Sequence, residues 1–247
     1  MCRHLCYLGD PVSLSELVLR PPHSLLVQSY APADMRGGGR INADGFGVGW
    51  FTGSGPVGRY RRSIPIWQDD DFVRLAEQLS GTAVLAAVRN GTVGMPVSDR
   101  AAAPFTDGRW LFSLNGRIDG WPQSVTGLAE QLPTAELLQL DAPTDAALLW
   151  AVLRHRLATG DPATVLAGLV GDVLAAAPAS RLNLLLTDGR SGYATTVTHS
   201  LSVRSSDTGT ILASEPFDDD PAWQQVEDGQ LVLADRFGVS IQPLPGR

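Results

Sequence analysis

The chain opens MCRHLCYLGD and places both of its cysteines, Cys2 and Cys6, in this first stretch, one of them directly behind Met1. Cys2, His4 and Cys6 alternate, so in an extended strand all three project from one face. Three chemistries compete for such a beginning: a metal knuckle, a disulfide, or a nucleophile that uses a free chain end. Sulfur and imidazole ligands suit zinc, but a structural site takes a fourth ligand and turn-like spacing. The remaining histidines, His23, His155 and His199, stand far off in sequence. A disulfide is disfavoured by reach. Strand residues four apart are separated by roughly 13 Å, and bridged Cα atoms lie within about 7 Å.

Cys6, inside the run LCYL, reads as a small buried hydrophobe. Cys2 at a chain end has little packing to gain, but it has a special neighbour. Once Met1 is trimmed, Cys2 carries its own α-amino group, whose pKa of about 8 lies far closer to neutrality than that of a lysine. A base of that strength beside a thiol can take its proton without a histidine.

Further segments supply what a nucleophile needs. WLFSL alternates like a strand and then meets Asn115-Gly116. That dipeptide reads either as a tight turn or as two donors, an amide and a glycine N–H, aimed at one oxyanion. The apolar run TAVLAAV ends in Arg89, followed by NGTVG. The guanidinium reads as a bidentate holder of a carboxylate or as a loop-surface charge. NADGFGVGW is a strand dense in glycine, which marks a close approach of ligand or backbone. Asp141-Ala-Pro-Thr144-Asp145 leads into a helix, with Thr144 as N-cap, Asp145 against the positive end of the dipole and Gly160 as the stop. A second helix follows from Pro162. The last third reads as strands with hairpin signals, among them Asp188-Gly189.

Composition narrows the partners. The net charge is −7 over 247 residues, and the 19 basic side chains are all arginines, scattered without a stripe. No nucleic-acid partner is expected. No apolar run is long enough for a bilayer and no secretory h-region begins the chain, so the expectation is a cytoplasmic protein without membrane contact. The GGGR run at 37–40 reads as one flexible loop.

Cys2, NADGFGVGW, VRNGTVG, FSLNG and TDAALL come in the order seen in class II glutamine amidotransferases, and the chain resembles their glutaminase domain over nearly its whole length. The resemblance implies an α+β fold, a four-layer αββα sandwich of the N-terminal-nucleophile hydrolase type, formed by one domain over 1–247, or 2–247 without Met1. It implies Cys2 as nucleophile, Asn115 and Gly116 as the oxyanion pair, Arg89 as anchor of the substrate α-carboxylate and Asp145 as acceptor of its α-ammonium. Thr92 and Val93 are implied as further lining of the glutamyl pocket. It implies no metal and no organic cofactor. The chain departs from the family at Ala87 and Leu114, where members often have histidine, which bears on the support of the pocket. On this resemblance the chain ends where the glutaminase ends, so a partner synthetase receiving ammonia is one arrangement and self-contained hydrolysis of a γ-glutamyl amide the other. MCRHLCYLG, VRNGTVGMPV, APFTDGRWLFSLNG and ASEPFDDDPAW look like the ergothioneine-pathway subgroup, whose members remove glutamate from γ-glutamyl-hercynylcysteine S-oxide. For its imidazolium-betaine leaving group, Trp50, Trp110 and Trp121 are candidate walls, since aromatic faces attract quaternary ammonium. A reading of another class is a catalytically silent binding protein with this fold.

Overall fold

A computed structural model of the chain describes residues 2–36, 41–53 and 55–245. Met1 and the run at 37–40 lie outside them, and with them the expectations placed there. The elements follow in chain order: β1 (Arg3–Ser13), α1 (Leu14–Val18), α2 (Leu25–Gln28), β2 (Phe46–Phe51), β3 (Gly58–Arg62), α3 (Asp70–Gln78), β4 (Ser80–Val88), β5 (Phe105–Thr106) and β6 (Leu111–Arg117). Then come α4 (Thr126–Ala129), α5 (Thr134–Leu137), α6 (Asp145–Leu157), α7 (Pro162–Ala176), β7 (Arg181–Thr187), β8 (Ser191–Thr195), β9 (Ser202–Ser206), β10 (Gly209–Ala213), β11 (Gln224–Gln225), β12 (Gln230–Asp235) and β13 (Gly238–Pro243).

The strands form two antiparallel sheets, one ordered β11-β9-β10-β1-β4-β2-β3 and the other β13-β12-β8-β7-β6-β5. Three apolar layers hold the stack. Leu5, Tyr7 and Phe46 meet Leu14, Leu17 and Phe72 of α1 and α3 on the outer face of the first sheet. Cys6, Leu8 and Leu212 meet Leu111, Leu185 and Ala194 between the sheets. Phe112, Leu114 and Leu184 meet Leu149, Leu153 and Leu169 of α6 and α7 on the outer face of the second. The result is the α+β, four-layer αββα sandwich.

Local chemistry explains these elements. The first part of β1, Arg3 to Leu8, is buried on both faces because helices cover one and the second sheet the other, and Leu5, Cys6, Tyr7 and Leu8 supply its apolar run. α6 starts where Thr144 Oγ1 accepts from the N–H of Ala147 at 3.2 Å, and Arg154, His155 and Arg156 stand at its negative end. α7 starts with Asp161 as cap and Pro162 in the first turn. In β2 a Cβ on Gly47 would meet the carbonyl of Ala103, so that glycine serves the approach of another backbone.

Asn115-Gly116 is a correction to the turn reading: β6 runs through it to Arg117, with Asn115 opposite Asn183 and Gly116 opposite Leu182. At Gly116 a Cβ would collide with the backbone carbonyl of Arg181, which no rotamer relieves. Gly116→Ala is expected to cost roughly 1–3 kcal/mol of stability, as overpacking does. A urea-denaturation midpoint equal to wild type would contradict that.

Candidate active site

The first strand brings the nucleophile candidate to the edge of a hollow. Cys2 is partly exposed, with Sγ 3.8 Å from the carbonyl oxygen of Asn90, and both cysteines are free thiols. Cys6 is buried in the layer between the sheets, and burial pushes its thiol up to about 12. It is the inert one of the two.

The residue after Cys2 is unusual for a strand packed on both sides. Arg3 is 1% exposed. Its Nη1 donates to the Cys2 carbonyl at 3.0 Å, its Nε to Glu215 Oε1 at 2.5 Å, and its Nη2 to the carbonyl of Asp34. Glu215 Oε2 also accepts from His23 Nε2 at 2.7 Å and from the N–H of Ala33 at 2.8 Å. Burial works to raise the Glu215 carboxyl, but His23, Arg3 and the Ala33 N–H together hold it below the ordinary carboxylate value. The buried pair fixes the backbone of Cys2. Neither Arg3 nor Glu215 was anticipated as part of the site; the available signal was a charge inside the otherwise apolar run RHLCYL.

His4 lies wholly buried between the sheets, with Nδ1 3.1 Å from Ser113 Oγ of β6 and Nε2 without a hydrogen-bond partner among the described residues. Burial, with positive neighbours, pushes His4 down to about 3 and His199 down to about 4. An unfolded chain takes up protons on these rings near 6.5, protons that the fold refuses. Stability from both histidines is therefore lost as pH falls below about 6.5 and on toward 4. The depressed Glu215 carboxylate acts in the same direction at lower pH, since its contribution is present above the unfolded value and lost as pH falls through the folded one. We expect the thermal midpoint to fall steadily from pH 7 to pH 4; a flat profile would show that these groups are not buried in this way.

The ends of β4 and β2 brace each other beside Cys2. Asp44 N–H donates to the Arg89 carbonyl at 3.0 Å, Arg89 N–H to that of Gly45 at 2.7 Å, and Asp44 Oδ2 accepts from Gly91 N–H at 2.8 Å. The buried Arg89 side chain reaches the carbonyl of Asp44 at 3.4 Å and makes no ion pair among the described residues. Across the hollow, Asp145 at the first turn of α6 accepts from Ile118 N–H at 3.1 Å and Ala146 N–H at 2.7 Å. Burial pushes its carboxyl up, and those two N–H groups and the Arg89 charge only partly oppose it.

The hollow itself is lined by Cys2, Arg89, Thr92, Gly116 and Asp145. Ala87, Ala103, Phe105 and Leu114 form its apolar side, so the two departures noted in the sequence, Ala87 and Leu114, are pocket wall. Val93 differs from expectation. Its side chain is 100% exposed and borders a neighbouring hollow with Trp121 and Pro122, because the chain turns outward after Thr92. Asn115 is not among the residues that line the hollow. Its side chain is buried, with Nδ2 3.4 Å from Ser214 Oγ and Oδ1 without a hydrogen-bond partner among the described residues. The tryptophans are corrections too. Trp50 packs onto the outer core of the first sheet, Trp110 is buried near Tyr193, and only Trp121 stands by an open hollow.

A fixed cation, a fixed carboxylate and a thiol around one small hollow suit an amino-acid head group of both charges, with its side chain directed at sulfur. Among the described residues no helix is long and apolar enough to cross a membrane.

No family model matches the chain. It is 41% identical over 244 residues to the γ-glutamyl-hercynylcysteine sulfoxide hydrolase of Mycolicibacterium smegmatis, covering 99% of this chain and 100% of that one. It is 42% identical over 246 residues to the protein of the same name from Mycobacterium tuberculosis, covering 99% and 97%. A solved glutamine aminotransferase class-II domain protein from Silicibacter pomeroyi superposes with a TM-score of 0.71 at 21% identity, over 98% of this chain and 99% of that one, which speaks for the fold. On full-length identity of this order, the chain belongs to the γ-glutamyl-hercynylcysteine sulfoxide hydrolase family, hydrolases on the class II glutamine amidotransferase fold.

Proposed function

We propose that this chain hydrolyses the γ-glutamyl amide bond of γ-glutamyl-hercynylcysteine S-oxide and releases glutamate, a step of ergothioneine biosynthesis. One observation carries the reading: Cys2 just before β1, Arg89 just after β4 and Asp145 at the start of α6 line a single hollow. Arg89 takes the substrate α-carboxylate and Asp145 its α-ammonium, which leaves the γ-carbonyl for sulfur. Thr92 completes the glutamyl pocket.

With Met1 removed, the Cys2 amine takes the thiol proton, and the thiolate attacks the γ-carbonyl carbon. The oxyanion is held by the Asn115 side-chain amide and the Gly116 N–H; one such donor is worth about 10²–10³ in rate. As the C–N bond breaks, the protonated amine gives its proton to the leaving nitrogen, and glutamate remains as a thioester on Sγ. Water then attacks the thioester, the amine takes its proton, and the thiol is restored. No step calls for a metal or an organic cofactor. Two free cysteines support a cytoplasmic setting, in which thiols stay reduced.

The test compares glutamate release from γ-glutamyl-hercynylcysteine S-oxide with that from free glutamine. The reading expects kcat/KM to favour the former by at least about tenfold, a difference of about 1.4 kcal/mol. Preference for glutamine, with a stable complex with a synthetase, would replace it with an ammonia-donating subunit. Binding without turnover would replace it with a silent binding protein.

A further inference from the structure

We propose that Ser214 is a positioning residue that sets the Asn115 amide for the oxyanion, an inference that rests on the reading of Asn115 given above. Ser214 follows the last residue of β10 and is wholly buried. Its N–H donates to the His4 carbonyl at 2.9 Å, which extends the β10–β1 ladder by one bond. The return bond breaks the pattern. The His4 N–H donates at 3.0 Å to the Ser214 side-chain Oγ.

That substitution has two consequences. The backbone leaves the ladder here, and the next residue, Glu215, reaches Arg3, which holds the Cys2 carbonyl. The hydroxyl oxygen is also placed between the sheets, where Asn115 Nδ2 of β6 donates to it at 3.4 Å. The two lone pairs of one serine oxygen thus receive a backbone N–H from the nucleophile strand and an amide N–H from the oxyanion strand. One Nδ2 hydrogen is held by Ser214; the other has no partner among the described residues, and the proposed role gives it to the oxyanion. With Oδ1 unpartnered among the described residues, Ser214 is the hydrogen bond shown orienting this buried amide. A preorganised donor needs such support, because small misplacements are costly near the reacting atoms.

The experiment is a double-mutant cycle on the full-length processed enzyme, with Ser214→Ala, Asn115→Ala and the pair, reading kcat and KM separately. Circular dichroism and thermal melting establish that each variant is folded. Ser214→Ala is expected to lose about ten- to hundredfold in kcat with KM within about twofold. In the Asn115→Ala background the same change is expected to cost almost nothing, because the group it positions is gone. Ser214→Cys, close in size with a weaker acceptor, is expected to fall between Ala and wild type, and it serves in the cycle should Ser214→Ala not fold. Wild-type kcat in Ser214→Ala, or an equal loss in both backgrounds, would overturn the positioning role. Wild-type kcat in Asn115→Ala would instead overturn the oxyanion assignment on which this role depends.

Discussion

Cys2→Ala is expected to lose hydrolysis by at least about 10⁴-fold in kcat/KM, as removal of a covalent nucleophile does. Binding should survive, because Arg89 and Asp145 are borne by β4's end and α6 and do not depend on the thiol. Titration calorimetry of the alanine variant with γ-glutamyl-hercynylcysteine S-oxide should therefore give an affinity within a few-fold of the wild-type KM. Loss of binding together with turnover would mean that Cys2 shapes the pocket and does not merely react. Full activity in Cys2→Ala would end the thioester mechanism. Cys6 makes a useful comparison: it is walled in between the sheets, so Cys6→Ala should act on stability and leave the labelling of Cys2 by alkylating agents unchanged.

The second large effect belongs to Asp145→Asn. Asparagine keeps the size of the side chain and one acceptor for the Ile118 and Ala146 N–H groups, so the start of α6, capped independently by Thr144, should hold. What disappears is the charge facing the substrate ammonium. Removing one partner of a buried charge pair costs about 2–5 kcal/mol, and each 1.4 kcal/mol is tenfold. A fall of about 10²–10³ in kcat/KM is expected, carried mostly by KM. The wild type should show a related acid limb. Burial raises the Asp145 carboxyl, so the free enzyme loses its anionic form at a pH above the ordinary aspartate value, and kcat/KM falls there. That limb should be absent from Asp145→Asn. Activity within a few-fold of wild type at neutral pH would remove Asp145 from substrate binding.

The parts of the molecule that were legible in its sequence are those set by local rules. Thr144-Asp145 marks the start of α6 because a cap and a first-turn carboxylate act within one turn. The alternation of Cys2, His4 and Cys6 places His4 and Cys6 toward the second sheet, since side chains in a strand repeat every two residues. Gly47 announced a close approach, and the Ala103 carbonyl is what approaches. The ordered segments led to the fold and the family.

What was missed depends on partners distant in sequence. Asn115-Gly116 carries a turn signature, yet pairing with Asn183 and Leu182 keeps it extended, and tertiary pairing overrides a dipeptide preference. Arg3 and Glu215 are separated by 212 positions, and nothing near either announces the other. Val93 and Thr92 are adjacent, but the chain turns at Val93, so only Thr92 of the two reaches the hollow. Trp50 and Trp110 are large enough to be claimed by whichever core is nearest, Trp110 buried in one and Trp50 packed partly buried against another.

All of this chemistry hangs on one covalent fact, a free amine on Cys2, and one measurement addresses it. The active enzyme is mixed with γ-glutamyl-hercynylcysteine S-oxide, quenched in acid within its first turnovers, and analysed by intact-mass spectrometry with fragmentation from the N-terminus. The account predicts a chain that begins at Cys2 and a transient glutamyl adduct on that residue. A turning-over chain that still begins with Met1, or an adduct on any other side chain, would contradict it.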